Sequence, residues 1–89
     1  MSKVTIRYFG ELKKITGKIE EAVDLRNPTL GGLLHQLKER HNYDFEALLL
    51  GSSYYIVLVN GLWVNLLKRA DVKLTNGDLI IITPALGGG

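Results

Sequence analysis

TLGGLLHQLKER, residues 29–40, is the stretch on which the fold turns. Leu30, Leu33, Leu34 and Leu37 fall at i, i+3, i+4 and i+7, the apolar stripe of an amphipathic helix, and Thr29 stands where an N-cap is needed. Gly31 and Gly32 in the first turn each cost roughly 1 kcal/mol against alanine, so the helix must be held by packing its leucines on another element. The segments on either side read as strands, which makes that element a sheet. The helix is expected to end between residues 40 and 42.

Upstream, Val4, Ile6 and Tyr8 alternate with Lys3, Thr5 and Arg7, a strand with one wet face. Gly10 and Gly17 bracket residues 11–16, where Leu12 and Ile15 fit a single helical turn. A second strand follows with Ile19, Val23 and Leu25 in one phase and Glu20, Ala22 and Asp24 in the other. Downstream, Phe45, Leu48 and Leu49 suggest a short second helix closed by Gly51. Tyr54 to Val59 is a strand, Asn60-Gly61 favours a tight hairpin because both central residues need positive φ, and residues 62–65 return as a short strand. Residues 66–74 form a connection without a period. Asn76-Gly77-Asp78 turns the chain into Leu79-Ile80-Ile81-Ile82, whose apolarity on both phases predicts a central strand buried on both faces, lying beside the first. The order β-β-α-β-β-β gives an α+β domain: a mixed sheet of about five strands packed on one main helix.

The 89 residues are 46% hydrophobic and 22% charged, the range of one globular domain. Without cysteine the chain has no disulfide, thiolate metal site or cysteine nucleophile, and a reducing compartment suits it. His35 and His41 are six apart, on different helix faces, so they make no chelating pair; both are expected to be solvated, and no metal is expected. A formal charge of +2 without a basic run gives no reason to expect nucleic acid as a partner. The longest apolar run, Tyr54 to Val59, is six residues against the ~20 of a membrane span, and no signal peptide is visible, so a cytoplasmic protein with no membrane partner is expected.

Beyond the last strand the sequence reads Thr83-Pro84-Ala85-Leu86-Gly87-Gly88-Gly89. Pro84 biases Thr83 to extended geometry, and residues without a Cβ can be threaded where any side chain would clash. Such a segment suits delivery of a terminal carboxylate into another protein's narrow tunnel. Taken alone, it reads equally as a frayed terminus or an expression scar. The domain is expected over residues 1–83 and a flexible tail over 84–89.

Four places carry a resemblance. They are Val4-Thr5-Ile6-Arg7-Tyr8-Phe9 with Leu12 and Ile15-Thr16-Gly17; Thr29-Leu30 with Leu33-Leu34; Val59-Asn60-Gly61; and Leu74-Thr75-Asn76-Gly77-Asp78 running through Pro84 to Gly88-Gly89. Across essentially its whole length the chain resembles the small subunits of molybdopterin synthase and, more broadly, the ubiquitin-like sulfur-carrier proteins. The resemblance implies the ubiquitin β-grasp fold, and it implies that a ubiquitin-activating-type adenylating enzyme uses ATP to convert the terminal carboxylate to an acyl-adenylate, after which sulfur transfer gives a thiocarboxylate. On this sequence the reacting carboxyl falls on Gly89. Gly87 and Gly88 would thread the tail, and the carrier would bind no cofactor and supply no catalytic residue. The implied partners are the adenylating enzyme and the large synthase subunit, where sulfur passes to a pterin precursor. The sequence departs from the family in carrying Ala85 for a second proline, Thr83 at an apolar position and Gly87 at a site usually occupied by serine, alanine or threonine.

The expected docking residues are Phe9, Trp63, Thr83, Pro84 and Leu86. Phe9 lies out of phase with Val4, Ile6 and Tyr8, and Trp63 follows a turn, so both can face away from the helix; finishing the core edge of a small domain is the other reading. Two alternatives to the molybdopterin role stay open. One is a modifier joined through Gly89 to lysines of target proteins, with carriers for tRNA or thiamine thiolation as relatives of the first reading. The other is a non-covalent binding domain whose glycines carry no function.

Overall fold

A computed structural model describes residues 2–51 and 54–85. The elements run β1 (Ser2–Tyr8), α1 (Leu12–Thr16), β2 (Glu20–Leu25), α2 (Leu30–His41), α3 (Phe45–Gly51), β3 (Tyr55–Val59), β4 (Leu62–Val64), α4 (Leu66–Arg69) and β5 (Leu79–Pro84). The five strands lie in the order β2-β1-β5-β3-β4. β1 and β5 are parallel, Ile6 opposite Ile80, while the β1–β2, β5–β3 and β3–β4 pairs are antiparallel. This is the mixed-sheet α+β architecture expected of a β-grasp domain, with the last strand beside the first.

The core forms where the inward phase of the sheet meets the leucine stripe of α2. Val4, Ile6, Tyr8, Val23, Leu25, Val57, Ile80 and Ile82 are buried against Leu30, Leu33, Leu34 and Leu37, with Phe45 of α3 closing one end. Thr29 caps α2, its hydroxyl accepting from the Gly32 N–H at 3.0 Å. The glycine at 32 is required rather than merely tolerated: a Cβ there would collide with the carbonyl and side chain of Asn27. The helix closes at Asn42, whose φ of 52° is left-handed.

Three expectations about the elements change. β5 is central, but only Ile80 and Ile82 are fully buried; Leu79 and Ile81 are half-buried on the outer face, so its unbroken apolarity marks an apolar outer surface rather than a second covering layer. Ile19 shares a phase with Val23 and Leu25 yet is 67% exposed, because pairing of β2 starts at Glu20 and Glu21 takes the inward position. The connection 66–74 contains α4, capped by Asn65, whose side chain accepts from the Leu67 N–H at 3.1 Å. Four residues are too few to show a helical period.

Glu21 is the buried acid of the domain. Its carboxylate, 4% exposed, accepts from Tyr8 Oη at 2.6 Å and Arg40 Nη1 at 2.8 Å, and lies 2.5 Å from His41 Nε2 and 3.6 Å from Lys18 Nζ. The cluster ties β1, β2 and the end of α2 together. His41 is therefore a packed partner, 9% exposed in its side chain, and not the solvated residue expected; His35 is exposed as expected. Burial pushes the Glu21 carboxyl up, but the hydrogen bonds from Tyr8, Arg40 and His41 outweigh it and bring it from the ordinary 4.5 to about 2. Burial, with the Glu21 carboxylate beside it, pushes the Tyr8 phenol strongly upward.

At the start of β5 the two glycine turns form one network. Asn60 and Gly61 take φ of 51° and 85°, and Gly77 takes 92°. Asn60 Nδ2 donates to Asp78 Oδ1 at 2.9 Å, and Asn60 Oδ1 accepts from the Leu79 N–H at 2.9 Å. Asp78 in turn accepts from the Thr75 N–H at 2.8 Å, and Asn76 Oδ1 accepts from the Lys3 N–H at 2.9 Å. The hairpin β3–β4 and the first strand are thereby pinned to the entry of β5.

Two measurements follow from these clusters. Asn60→Gly keeps the positive φ and deletes both side-chain bonds, so urea unfolding should show a loss of about 1–2 kcal/mol. Because the folded-state pKa of Glu21 lies below its unfolded value, its stabilisation is complete above pH 4.5 and fades as pH falls toward about 2. Glu21→Gln, which leaves Arg40 without its charge partner, should lose about 3 kcal/mol at pH 7 and show a flatter acid limb in thermal melts taken from pH 6 to 2.

Candidate functional site

The outer phase of the sheet is built by the same alternation that fills the core. A continuous row crosses four strands: Arg7 of β1 is opposite Ile81 of β5, Ile81 opposite Leu58 of β3, and Leu58 opposite Trp63 of β4. One step along, Thr83 is opposite Ile56. Ile56, Leu58, Leu79 and Ile81 are half-buried, while Trp63 is 62% and Phe9 41% exposed. An apolar band of this breadth, left on the side of the sheet away from α2, has the character of a contact surface.

Phe9 and Trp63 are both exposed, but they are not an aromatic pair. Phe9 follows β1 and Trp63 sits on β4, with β5 and β3 between them, so the band separates them by roughly 14 Å at the usual strand spacing. Trp63 instead borders an apolar groove of about 200 Å³ with Leu49, Leu50, Tyr55, Leu66 and Leu67. Trp63 is the one groove residue expected from the sequence at a docking surface; Leu66 and Leu67 stand on α4, which is too short to show a period, and the groove brings α3, β3 and α4 together from distant parts of the chain.

Thr83 and Pro84 lie within β5, where Thr83 is on the outer phase and Pro84 is opposite Tyr55. The Ala85 N–H still donates to the Tyr54 carbonyl, so sheet pairing extends into the stretch 84–89 read as tail. Leu86, Gly87, Gly88 and Gly89 lie outside the described residues. The last described residue, Ala85, thus stands at the end of the central strand, at the edge of the apolar band.

Among the described residues there is no group of three or more His, Cys, Asp or Glu side chains placed to hold a metal ion. No described helix is long and apolar enough to cross a membrane. The Glu21 cluster contains an acid, a phenol and an imidazole, but every oxygen of the carboxylate is occupied by partners from the protein itself.

Comparison with known proteins agrees with this geometry. No curated protein sequence matches the chain. Among solved structures, a Pyrococcus furiosus protein assigned as subunit 1 of a molybdopterin converting factor superposes with a TM-score of 0.74 at 21% identity, over 97% of this chain and 100% of its own. Small archaeal modifier protein 1 of Methanosarcina acetivorans gives 0.74 at 21% identity, over 100% and 98%. CysO of Amycolatopsis orientalis, solved as a complex with BexX, gives 0.73 at 24% identity, over 97% and 99%. At these identities the likeness establishes the fold. The model of the ThiS family matches residues 6–89, nearly the whole chain, and so the protein belongs to the ThiS family of ubiquitin-like sulfur carriers.

Proposed function

We propose that the protein carries sulfur for molybdenum or tungsten cofactor synthesis, as the small subunit of a molybdopterin synthase. The observation that carries this reading is the end of β5: the central strand runs beside an apolar outer face, Ala85 still pairs with Tyr54, and the glycine run 87–89 follows in the sequence. The whole-length likeness to a converting-factor subunit supports it. Docking on the band formed by Ile81, Leu58 and Trp63, with Phe9 and Thr83 at its margin, would aim Leu86, Gly87 and Gly88 toward a partner's channel, while Pro84, expected to dock, stands on the inner phase opposite Tyr55.

The chemistry falls on the carboxyl of Gly89. A carboxylate oxygen attacks the α-phosphorus of ATP in the adenylating enzyme, and pyrophosphate leaves. Sulfur from a sulfide-level donor then adds to the acyl carbon and displaces AMP, leaving a thiocarboxylate and releasing a proton. The adenylate turns a poor electrophile into a good one, and the thiocarboxylate is ionised and polarizable at neutral pH, a competent nucleophile toward a pterin precursor. The domain supplies neither acid nor base and holds no cofactor; ATP belongs to the partner. This chemistry fits a cytoplasmic setting.

A second reading shares the first step. The fold of small archaeal modifier protein 1 is the same, so the adenylate of Gly89 could be taken by lysine amines of target proteins.

Intact mass after incubation with ATP, the adenylating enzyme and a sulfur donor should rise by the difference between a sulfur and an oxygen atom. A form lacking Gly88 and Gly89 should show no gain. A large synthase subunit that makes no dithiolene product from the thiocarboxylate would sink the molybdopterin role, and isopeptide remnants on target lysines would establish the modifier. Trp63→Ala, at an exposed position, should weaken large-subunit binding about tenfold in calorimetric titration while leaving the melting temperature unchanged.

A further inference from the structure

The point where the chain leaves the sheet is clamped. Gly10, in the turn after β1, has φ of 67°, and a Cβ there would lie 2.8 Å from the Tyr55 hydroxyl and 2.9 Å from Pro84 Cγ. The Tyr55 hydroxyl accepts from the Glu11 N–H at 3.1 Å, and the Tyr55 ring meets Tyr54 edge-on at 5.4 Å. Tyr55 is the register partner of Pro84, and the Tyr54 carbonyl holds the Ala85 N–H. The turn after β1, the start of β3 and the end of β5 therefore meet at the last residues before the glycine run.

Little of this is demanded by core packing. A phenylalanine ring would fill the space of Tyr55, so the hydroxyl serves the Glu11 N–H, and the missing side chain of Gly10 serves the Pro84 ring. We infer that Gly10 and Tyr55 are positioning residues for activation of the terminal carboxyl: through Pro84 they fix the direction in which the chain passes Ala85. The inference rests on the sulfur-carrier reading given above. Docking on the outer face supplies affinity, but reaction at a carboxyl four residues beyond Ala85 also needs that segment aimed, and ordering its base in advance lowers the entropy lost in aiming it. Tyr55 is buried on the inner phase and Gly10 has no side chain, so neither belongs to the row of Ile81, Leu58 and Trp63, although Tyr55 also lines the groove beside Trp63.

The test uses the full-length protein, Gly10→Ala and Tyr55→Phe, with ATP–pyrophosphate exchange by the adenylating enzyme and amide hydrogen exchange at Ala85 read by NMR. Alanine at 10 must adopt a left-handed φ and push Pro84 aside. The expected result is a kcat about tenfold lower with KM unchanged, and Ala85 exchange about tenfold faster; Tyr55→Phe should shift both in the same direction by less. Tyr55→Phe retains the ring and decides the matter if Gly10→Ala does not fold. An unprotected Ala85 amide in the wild type, unchanged kcat in both variants, or a rise in KM alone overturns the positioning role. Wild type that is not adenylated by an enzyme active on another carrier overturns the sulfur-carrier reading and the positioning role with it, an outcome distinct from normal adenylation of every variant.

Discussion

The parallel pairing of β1 with β5 is the constraint on which the rest depends. It places Ile80 and Ile82 between Ile6 and Tyr8 on one side and Val57 on the other, fully buried over the leucine stripe of α2. A strand so enclosed has both edges satisfied by hydrogen bonds and one face by apolar contact, so its direction is fixed at both ends. At its entry, the Asn60 and Asp78 side chains close the turns around it; at its exit, Tyr55 and Gly10 close on Pro84. Because the strand is central, its exit opens beside the apolar outer band rather than at a remote edge of the sheet.

The outer band follows from the same geometry. A central strand with apolar residues in both phases leaves half of them on the face that α2 does not cover, and Ile81 gains apolar neighbours from Leu58 and Trp63 across the sheet. Such a face costs solubility unless something covers it, and β5 ends at its margin with Thr83 on the outer phase.

The sequence made the architecture readable where patterns were long or punctuated by residues with one physical use. The i, i+3, i+4, i+7 leucines, the Asn60-Gly61 dipeptide and the alternation from Val4 to Tyr8 each led to the element found. What escaped were features set by partners distant in the chain. Glu21 occupies an inward position in β2 that alternation alone would fill with an apolar residue, and only the convergence of Tyr8, Arg40 and His41 explains it. His41 was misplaced for the same reason, since nothing local distinguishes it from His35. Gly32 is a cost to α2 by propensity, and the close approach of Asn27, which requires glycine there, comes from outside the helix. Of the candidate site, strand phase allowed Phe9 and Trp63 either an exposed place or the core edge; that both are exposed, and how far apart, depends on packing and strand order, which phase does not encode.

The central place of β5 also has a consequence for synthesis. β5 is the last of the described strands in the chain and the one that joins the two halves of the sheet, so a nascent chain that has not yet released it holds the β1–β2 and β3–β4 pairs with no strand hydrogen-bonded between them. Pairings of such sequence separation form late and only with the whole element available. Completion of the sheet therefore waits on residues 79–84: a chain cut short before residue 79 lacks the one strand on which both halves of the sheet pair.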